Sequence, residues 1–268
     1  MSEDQRPGVA VVTGGASGIG EACALRFARD GRPVAVLDIN ADAADAVAKV
    51  IVDGGGTARA FPCDVADLSV QQDIAKTVEA DMGPVDTLLT SAGIITSKGM
   101  LMSVDLEEHT RVWDVNYNGT LYSVRAFAPA MQERKRGAIC TVGSVNSYIQ
   151  LPMPAYNPTK IAIKRLTELF AMELGRDMVR VNSVAPGYTL SQTLKRYIDE
   201  GKRDPDNILK SGAMQVFIEP EHIANAAAWL CSDEASVVTG VMLPVDAGYL
   251  CAAYYQTYAG GLPWEDET

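Results

Sequence analysis

The stretch Val9-Ala-Val-Val-Thr-Gly-Gly-Ala-Ser-Gly-Ile-Gly20 decides the fold. Its first five residues are apolar or β-branched, which is typical of a buried strand. Glycines at positions 14, 18 and 20 then lead directly into a helix-compatible segment that runs to about Asp30. A strand that passes through a glycine-rich turn into a helix predicts the first unit of a parallel α/β sheet.

Six further short apolar runs follow, separated by segments of helical length. These runs do not alternate in polarity, which indicates strands that are covered on both faces. The pattern predicts a doubly wound, parallel, seven-stranded α/β sheet with helices on both faces. The predicted strands are Val9–Thr13, Pro33–Asp38, Thr57–Pro62, Val85–Thr90, Gly137–Gly143, Val179–Ala185 and Val241–Val245.

A single domain over residues 1–268 is expected, because no low-complexity tract or linker divides the chain. The longest insertion, residues 188–218, follows the sixth strand and allows a helix over Ser191–Gly201 and a turn or loop over 201–206. Ligands of open α/β sheets bind beyond the carboxyl ends of the strands. We therefore predict a substrate lid here, the alternative being a surface excursion.

Composition excludes several functional classes. A net charge of −11, from 34 acidic and 23 basic residues, argues against binding to nucleic-acid backbones. No apolar run approaches the roughly 18 residues of a membrane span. The polar N-terminus Met1–Gly8 lacks the layout of a signal peptide, so a cytoplasmic protein is expected.

Cysteine and histidine are too sparse for several kinds of site. The five cysteines are scattered without a C-x-x-C pair, which favours reduced, mostly buried thiols over a disulfide framework or zinc cluster. The two histidines, His109 and His222, are not spaced as ligands. We expect no metal and no Ser-His-Asp triad.

The glycine turn predicts a nucleotide site. Without Cβ atoms at Gly14, Gly18 and Gly20, the backbone N–H groups of the turn, which includes Ser17 and Ile19, can meet a pyrophosphate at the helix N-terminus. Asp38 ends the second strand, eighteen residues past Gly20. Its carboxylate can accept hydrogen bonds from both ribose hydroxyls of an adenosine.

Asp38 also bears on the choice of cofactor. Its carboxylate would repel a 2′-phosphate, and no Arg or Lys occupies positions 15, 16, 39 or 40. NAD is therefore expected rather than NADP, unless basic residues from elsewhere in the fold intervene. Asp64 and Val65, after the third strand, are candidates for the adenine amino group, with a helix-capping role for Asp64 as the alternative.

Tyr156 and Lys160 stand four residues apart at the start of a helical segment. This spacing places a phenol and an ammonium on one helix face. The lysine charge can favour the phenolate of a tyrosine whose unperturbed pKa is about 10. The pair predicts proton transfer, although the same spacing also suits an amphipathic helix with a surface lysine.

Nearly the whole chain resembles the short-chain dehydrogenase/reductase family, in its compact NAD-preferring subclass with a Rossmann-like fold. The motifs that carry the resemblance occur in order: Thr13-Gly-Gly-Ala-Ser-Gly-Ile-Gly20, Asp38, Asp64-Val65, Ser91-Ala-Gly93, Asn116 in Asp114-Val-Asn-Tyr-Asn-Gly119, Ser144, Tyr156-x-x-x-Lys160, Pro186-Gly187 and Val245-Asp-Ala-Gly248.

The resemblance implies a catalytic tetrad of Asn116, Ser144, Tyr156 and Lys160. Tyr156 would be the acid/base, tuned by Lys160, while Ser144 holds the substrate oxygen. Asn116 would retain a water that links Lys160 to solvent, the alternative being an asparagine that kinks its helix. Further cofactor contacts are implied for Ser91, Ala92, Gly93, Tyr156, Lys160, Pro186, Gly187, Thr189 and Ser191.

The chain departs from the family pattern at three places. Ser91 replaces the second Asn of the usual Asn-Asn-Ala-Gly, and eleven residues rather than twelve separate Ser144 from Tyr156. The usual Thr after Pro-Gly, which contacts the nicotinamide carboxamide, is Ser191 or Thr189.

The expected substrate is a neutral alcohol, ketone or polyol. The segments predicted to line its pocket, 145–154, 187–190 and 211–217, contain no Arg or Lys. Asn146 and Gln150 are candidates to bind a second hydroxyl or carbonyl unless they face solvent, and Tyr188 is a further substrate candidate. A 3-ketoacyl carrier protein reductase is the alternative enzyme, and a non-catalytic NAD-binding sensor is the alternative of another class.

A homotetramer is expected. The helix predicted over Tyr156–Gly175 is apolar around more of its girth than one sheet contact requires, and the family commonly assembles through it. The tail, residues 249–268, is rich in aromatic residues, and we expect it to dock on a neighbouring subunit rather than fray.

Overall fold

The computed structural model describes residues 7–95, 98–255 and 259. Seven parallel strands form one sheet in the order β3-β2-β1-β4-β5-β6-β7, which confirms the predicted doubly wound fold. The strands are β1 (Val9–Thr13), β2 (Val34–Asp38), β3 (Ala58–Pro62), β4 (Val85–Thr90), β5 (Gly137–Val142), β6 (Val179–Pro186) and β7 (Met242–Val245).

Helices cover both faces of this sheet. The helices are α1 (Gly18–Arg29), α2 (Ala41–Asp53), α3 (Leu68–Asp81), α4 (Leu106–Trp113), α5 (Gly119–Arg134), α6 (Tyr156–Leu174), α7 (Gln192–Asp199), α8 (Pro205–Ser211), α9 (Pro220–Cys231) and α10 (Tyr249–Tyr255). One apolar core joins α1, α2 and α9 to the sheet, and the other joins α3, α5 and α6 to its opposite face.

The strand order reverses between β1 and β4. From this point the chain winds outward to β2 and β3 in one direction and to β5, β6 and β7 in the other. Because all strands are parallel, the turns that follow β1, β4, β5 and β6 lie at one edge of the sheet. Such a switch point leaves a crevice in which α/β proteins bind ligands.

The insertion after β6 contains the predicted helix, observed as α7, and a second helix, α8. The first two residues of α8 fall in the predicted turn or loop over 201–206, and no helix is predicted beyond it. Asp204 caps α8 by accepting from the Asp206 N–H, and Pro205 opens the helix. The two ends of the insertion meet, since Thr189 and Ile218 form an isolated parallel bridge and the Leu190 N–H donates to the Ile218 carbonyl at 2.7 Å.

The thiols agree with the expectation of reduced, mostly buried cysteines. Cys23, Cys63, Cys140 and Cys231 are free and buried, while Cys251 is free and exposed. Within the described residues, no helix has the length and apolar character needed to cross a membrane. The part of the predicted docking tail that follows α10 lies almost wholly outside the described residues.

Candidate active site

The turn after β1 is closed by direct contact between glycine backbones. Gly14 and Gly18 have φ angles of +65° and +56°, in the left-handed region that favours glycine. A Cβ on Gly20 would lie only 2.0 Å from the Gly14 carbonyl oxygen. A side chain at position 14 or 20 would collide with backbone, so the glycines let the turn close into a cradle at the N-terminus of α1, which suits a diphosphate.

Asp38, at the end of β2, is hydrogen-bonded to this turn. One carboxylate oxygen accepts from the Ala16 N–H at 3.1 Å, and the other accepts from the Asn40 N–H at 2.9 Å. Each oxygen keeps capacity for a further donor, such as a ribose hydroxyl. The neighbouring Ile39 side chain is 71% exposed and offers an apolar surface beside the carboxylate.

A cavity of about 490 Å³ runs from Asp38 to Tyr156 and gathers most of the predicted site residues. Gly20, Asn116 and Gln150 do not line it. The predicted residues that do are Gly14, Ser17, Gly18, Ile19, Asp38, Asp64, Val65, Ser91, Ala92, Gly93, Ser144, Asn146, Tyr156, Lys160, Pro186, Gly187, Tyr188, Thr189 and Ser191.

A cation that the sequence does not reveal lies at the end of the cavity that includes Asp38, where an adenosine is predicted to bind; this is called the adenosine end. Arg111, on α4, lines the cavity and also an adjoining open depression that it shares with Ile39, Asp64 and Val115. Arg111 is far in sequence from both the glycine turn and Asp38, and it reaches this end only through the fold. No spacing between motifs would have identified it.

The suggested helix-capping role of Asp64 is wrong. Asp67 caps α3 instead, accepting from the N–H groups of Ser69 and Val70. Asp64 is exposed, and within the described part of the chain its carboxylate accepts only from the Ala66 N–H, at 2.9 Å. Its second carboxylate oxygen is therefore open to a ligand at the adenosine end.

Tyr156 and Lys160 lie on the first turns of α6 and are buried, with exposed fractions of 8% and 6%. The lysine Nζ is 5.4 Å from the centroid of the phenol ring and donates to the Val142 carbonyl at 2.8 Å. The alternative of a surface lysine is therefore wrong. Both residues line the cavity and are largely withdrawn from solvent.

Burial governs the protonation of this pair. It raises the pKa of Tyr156 to about 12, opposed by a hydrogen bond with Ser144 that lowers it. Burial also lowers the pKa of Lys160 to about 8. The expected lowering of the Tyr156 pKa by Lys160 is therefore not observed, because desolvation of the phenolate dominates and the only opposing cause is the Ser144 hydrogen bond.

Ser144 begins a turn of 3₁₀ helix over Val145–Ser147, directly after β5. Its Oγ accepts from the Asn146 N–H at 3.2 Å, which leaves the hydroxyl proton available for donation. The Ser147 hydroxyl donates to the Lys160 carbonyl at 2.6 Å. This bond joins the Ser144 turn to the helix that carries Tyr156 and Lys160.

Asn116 lies behind the cavity wall, in a π-helical turn at Asp114–Asn118. Its fully buried amide accepts from the Ile94 N–H at 2.8 Å and donates to the Ile94 carbonyl at 3.0 Å. The amide nitrogen also lies 3.4 Å from the Thr159 hydroxyl. Asn116 therefore fastens the segment after β4 to α6, and its predicted water link stays a prediction.

Two further segments of the cavity wall, the one after β4 and the one before α7, are held by backbone and capping hydrogen bonds. The Ser91 and Ala92 N–H groups donate to the Thr13 carbonyl and hydroxyl at 3.1 and 3.4 Å, so Ser91 is anchored through its backbone. The Ser191 hydroxyl caps α7. Its Cβ lies 3.8 Å from the position a Cβ on Gly18 would take, next to the phosphate cradle.

Asn146 and Gln150, the two predicted substrate amides, differ. Asn146 is 3% exposed and lines the cavity, and its buried amide oxygen has no hydrogen-bond partner among the described residues. Gln150 is exposed and outside the cavity, so its assignment is not supported. Tyr188 lines the cavity and packs edge-on against Tyr249, with ring centroids 5.6 Å apart.

The insertion at residues 188–218 lines the cavity partly with other residues than the sequence predicts. None of residues 211–217 contributes to the wall. Thr193, Leu194 and Tyr197 of α7 and Arg203 of the following turn take that place. The predicted segments lack cations, but Arg203, which lies between the segments 187–190 and 211–217 in the sequence, brings one to the wall.

Known proteins resemble the chain over almost its full length. The family model described as Enoyl-(Acyl carrier protein) reductase matches residues 14–250. The D-threitol dehydrogenase of Mycolicibacterium smegmatis is 33% identical, covering 90% of this chain and 92% of that protein. A short-chain type dehydrogenase/reductase from Mycobacterium ulcerans has a TM-score of 0.87 at 29% identity, covering 95% of this chain and 96% of that one.

Other solved structures differ in name and in cofactor. A structure described as ribose-5-phosphate isomerase from Brucella melitensis has a TM-score of 0.89 at 36% identity, covering 96% and 97% of the two chains. A 3-oxoacyl-[acyl-carrier protein] reductase from Brucella melitensis, 31% identical with a TM-score of 0.81 over 91% and 92% of the chains, has NAD bound. ElxO, 25% identical with a TM-score of 0.86 over 92% and 100%, has NADP bound.

Proposed function

The chain belongs to the short-chain dehydrogenase/reductase family, and on that premise we propose that it oxidises a secondary alcohol or polyol with NAD, or runs the reverse reduction. It is an oxidoreductase that uses a nicotinamide cofactor. The observation that carries the proposal is the meeting of the glycine cradle, Asp38 and the buried Tyr156–Lys160 pair in one cavity.

The proposed cofactor is NAD. Asp38 supports this choice because its carboxylate lies where a 2′-phosphate would be repelled, while its oxygens keep room for ribose hydroxyls. Arg111 would favour NADP instead, because it is a cation that lines the adenosine end of the cavity and could pair with a 2′-phosphate. The fixed hydrogen bonds of Asp38 to the cradle make the carboxylate the stronger influence.

In the proposed mechanism, a nicotinamide held in the cavity would supply or accept the hydride, and the side chains of this protein transfer the proton. The Ser144 hydroxyl donates to the substrate oxygen, and Tyr156 gives that oxygen its proton during reduction or takes it during oxidation. The raised pKa keeps Tyr156 protonated at neutral pH, which suits donation in the reduction, whereas the oxidation uses the phenolate and is favoured by higher pH. The charged Lys160, 5.4 Å from the ring, then stabilises the phenolate.

Asn116 is proposed to be a positioning residue that holds the segment after β4 and the start of α6 in place. Its amide fixes the segment after β4 and lies near Thr159, whose hydroxyl donates to the Tyr156 carbonyl at 2.7 Å. The chain of contacts from Ile94 through Asn116 and Thr159 holds the start of α6 in place. The proposed water between Asn116 and Lys160 would add a path for protons.

The substrate is proposed to carry a second hydroxyl beyond the reacting carbon. The unpartnered amide oxygen of Asn146 supports this, because a buried acceptor without a donor is costly unless a ligand supplies one. D-threitol, which a relative's name gives as its substrate, is a compound of this class. We do not extend the description ribose-5-phosphate isomerase, given to one similar structure, to this chain, because the glycine cradle and Asp38 suit a dinucleotide.

A cytoplasmic homotetramer with a substrate lid over residues 188–218 is proposed as the working form. The face of α6 turned away from the sheet supports assembly, because Ile161, Leu169 and Met172 are 52%, 59% and 77% exposed. Light scattering of the purified protein measures the subunit number directly.

The test of function is an absorbance assay at the NADH band. The protein is given NAD or NADP with a panel of polyols, diols and cyclic alcohols. It is also given NADH or NADPH with the corresponding ketones and with a 3-ketoacyl thioester of acyl carrier protein, called here the acyl-carrier ketoester. Turnover of polyols with NAD is expected. Turnover confined to the acyl-carrier ketoester would favour the alternative reductase, and NAD binding without turnover would favour a sensor.

A further inference from the structure

The lid presents a cluster of cations around one aromatic ring. The guanidinium carbons of Arg196 and Arg203 lie 5.6 and 5.9 Å from the centroid of Tyr197, and the Lys202 ammonium lies 5.7 Å from it. Acidic residues, among them Glu200 and Asp204, stand between and beside these cations in the sequence, so the three cations differ in how far they are already neutralised.

Arg203 differs from the other two cations in its surroundings. It is half-buried and lines the cofactor cavity, whereas Arg196 and Lys202 are exposed and do not. Lys202 is paired with Glu200 at 2.6 Å. Arg203 donates to the Lys202 carbonyl at 2.9 Å, and no carboxylate of the described residues pairs with it.

The start of the lid lies against the phosphate cradle. Ser191, the cap of α7, adjoins Gly18, and Leu194 and Tyr197 continue the cavity wall from it. The cradle itself offers backbone N–H groups but no cation. Two other cations line the cavity among the described residues, Lys160 at the reaction end and Arg111 at the adenosine end.

We propose that Arg203 binds the diphosphate of the nicotinamide cofactor from the lid side. A guanidinium has five N–H donors and pairs well with phosphate oxygens, so Arg203 supplies the charge that the cradle lacks. The proposal rests on the proposed function only in that the cavity receives a nicotinamide dinucleotide.

The test measures NADH binding by fluorescence in the full-length chain, without turnover. In Arg203→Gln the Kd for NADH rises about tenfold, as expected for loss of one charge-assisted bond. ADP-ribose, which has the diphosphate but no nicotinamide, loses affinity by a similar factor. Arg203→Lys restores part of the affinity, because it keeps the charge without the fork of donors.

Arg196→Gln and Lys202→Gln are the matched controls, since each removes a cation from the same ring without touching the cavity. Both keep the wild-type Kd, and thermal melting verifies that all variants fold. A Kd for Arg203→Gln equal to that of the controls would overturn the proposal. So would an unchanged Kd with a raised KM only for acidic substrates, which would place Arg203 in substrate recognition.

The two proposals fail in different ways. NADH binding without turnover on any alcohol or ketone would overturn the proposed reaction and leave the Arg203 measurement intact. Wild-type protein that binds neither NADH nor ADP-ribose would overturn both.

Discussion

The two ends of the cavity control charge by different means. At the reaction end, Tyr156 and Lys160 are buried, and desolvation shifts their pKa values in opposite directions. At the adenosine end, Asp64 and Arg111 are exposed to solvent. Solvent screens charges at this end more than those of the buried pair, so recognition here depends on placed donors and acceptors together with the charge of the half-buried Asp38. Under the proposed function, proton transfer belongs to the buried end, called here the dry end, and the choice between NAD and NADP belongs to the exposed end, called here the wet end.

The strongest test of the dry end is Tyr156→Phe. Turnover falls by about 10³-fold, because the proton donor is lost while the ring still fills its place. NADH affinity, measured by fluorescence, stays at the wild-type value. Tyr148→Phe is the control, since the Tyr148 hydroxyl donates to the Met242 carbonyl outside the cavity. Wild-type turnover in Tyr156→Phe would remove Tyr156 from the proton transfer.

The cradle joins the two ends, and Gly20→Ala tests it. The added methyl meets the Gly14 carbonyl at 2.0 Å, so the turn must open and NADH affinity falls by about 100-fold. Gly175→Ala is the matched control, because a Cβ there meets nothing within 4 Å. Titration of both variants with NADH measures the difference. Equal affinities would mean that the cradle does not hold the cofactor.

Lys160→Met tests whether burial sets the charge at the dry end. The pKa of Lys160 falls from its ordinary value of 10.5 to about 8 in the folded protein. Between these two values the unfolded chain therefore holds a proton that the folded protein has released. Stability of the wild type rises with pH across this window, by roughly 3 kcal/mol in total. Lys160→Met lacks that rise.

The measurement is urea unfolding from pH 7.5 to pH 10, compared between wild type and variant. The raised pKa of Tyr156 lowers stability above pH 10.0 in both proteins, and the comparison cancels it. Lys164→Met is the control, one turn along α6 and paired with Glu168. A pH slope in Lys160→Met equal to that of the wild type would show that Lys160 is not desolvated.

At the wet end, Asp38→Asn tests recognition by placed groups. The amide oxygen keeps one acceptor for the turn but loses the charge, so the preference for NADH over NADPH falls about tenfold. Affinities for both cofactors are measured by fluorescence. Adding Arg111→Ala removes the NADPH gain if Arg111 supplies the cation. An unchanged preference in Asp38→Asn would contradict the role given to the carboxylate.

The smallest expected effect concerns the substrate. Asn146→Ala raises KM for a polyol several-fold, by about 1 kcal/mol of lost hydrogen bonding, and leaves kcat nearly unchanged. Gln150→Ala, at an exposed amide outside the cavity, has no effect. Steady-state kinetics of both variants, with a polyol and with a simple secondary alcohol, show whether the KM change is specific to Asn146 and to the second hydroxyl. Equal KM changes for both alcohols would show that Asn146 binds no second hydroxyl.

The sheet was predictable from the sequence because continuous apolar runs and a glycine turn are local signals. Its seven strands differ from prediction by one residue or none at either end. The residues of the dry end were predictable for the same reason, since Tyr156 and Lys160 share one helix. Arg111 and Arg203 were not, because they reach the cavity through tertiary packing. The pKa of Tyr156 also depends on burial, which no spacing reveals.

The bridge between Thr189 and Ile218 bears on how such proteins diverge. The chain leaves the body of the protein and returns to it at one point, so the residues between form a closed excursion. Closing a longer loop costs little, about 0.6 kcal/mol for each doubling of length. Insertions, deletions or whole replacements between these two residues leave the sheet and the proton-transfer pair where they are. If this segment is the proposed lid, its exchange can alter the part of the substrate pocket that it supplies, while Asn146 and the Tyr156–Lys160 pair stay in place.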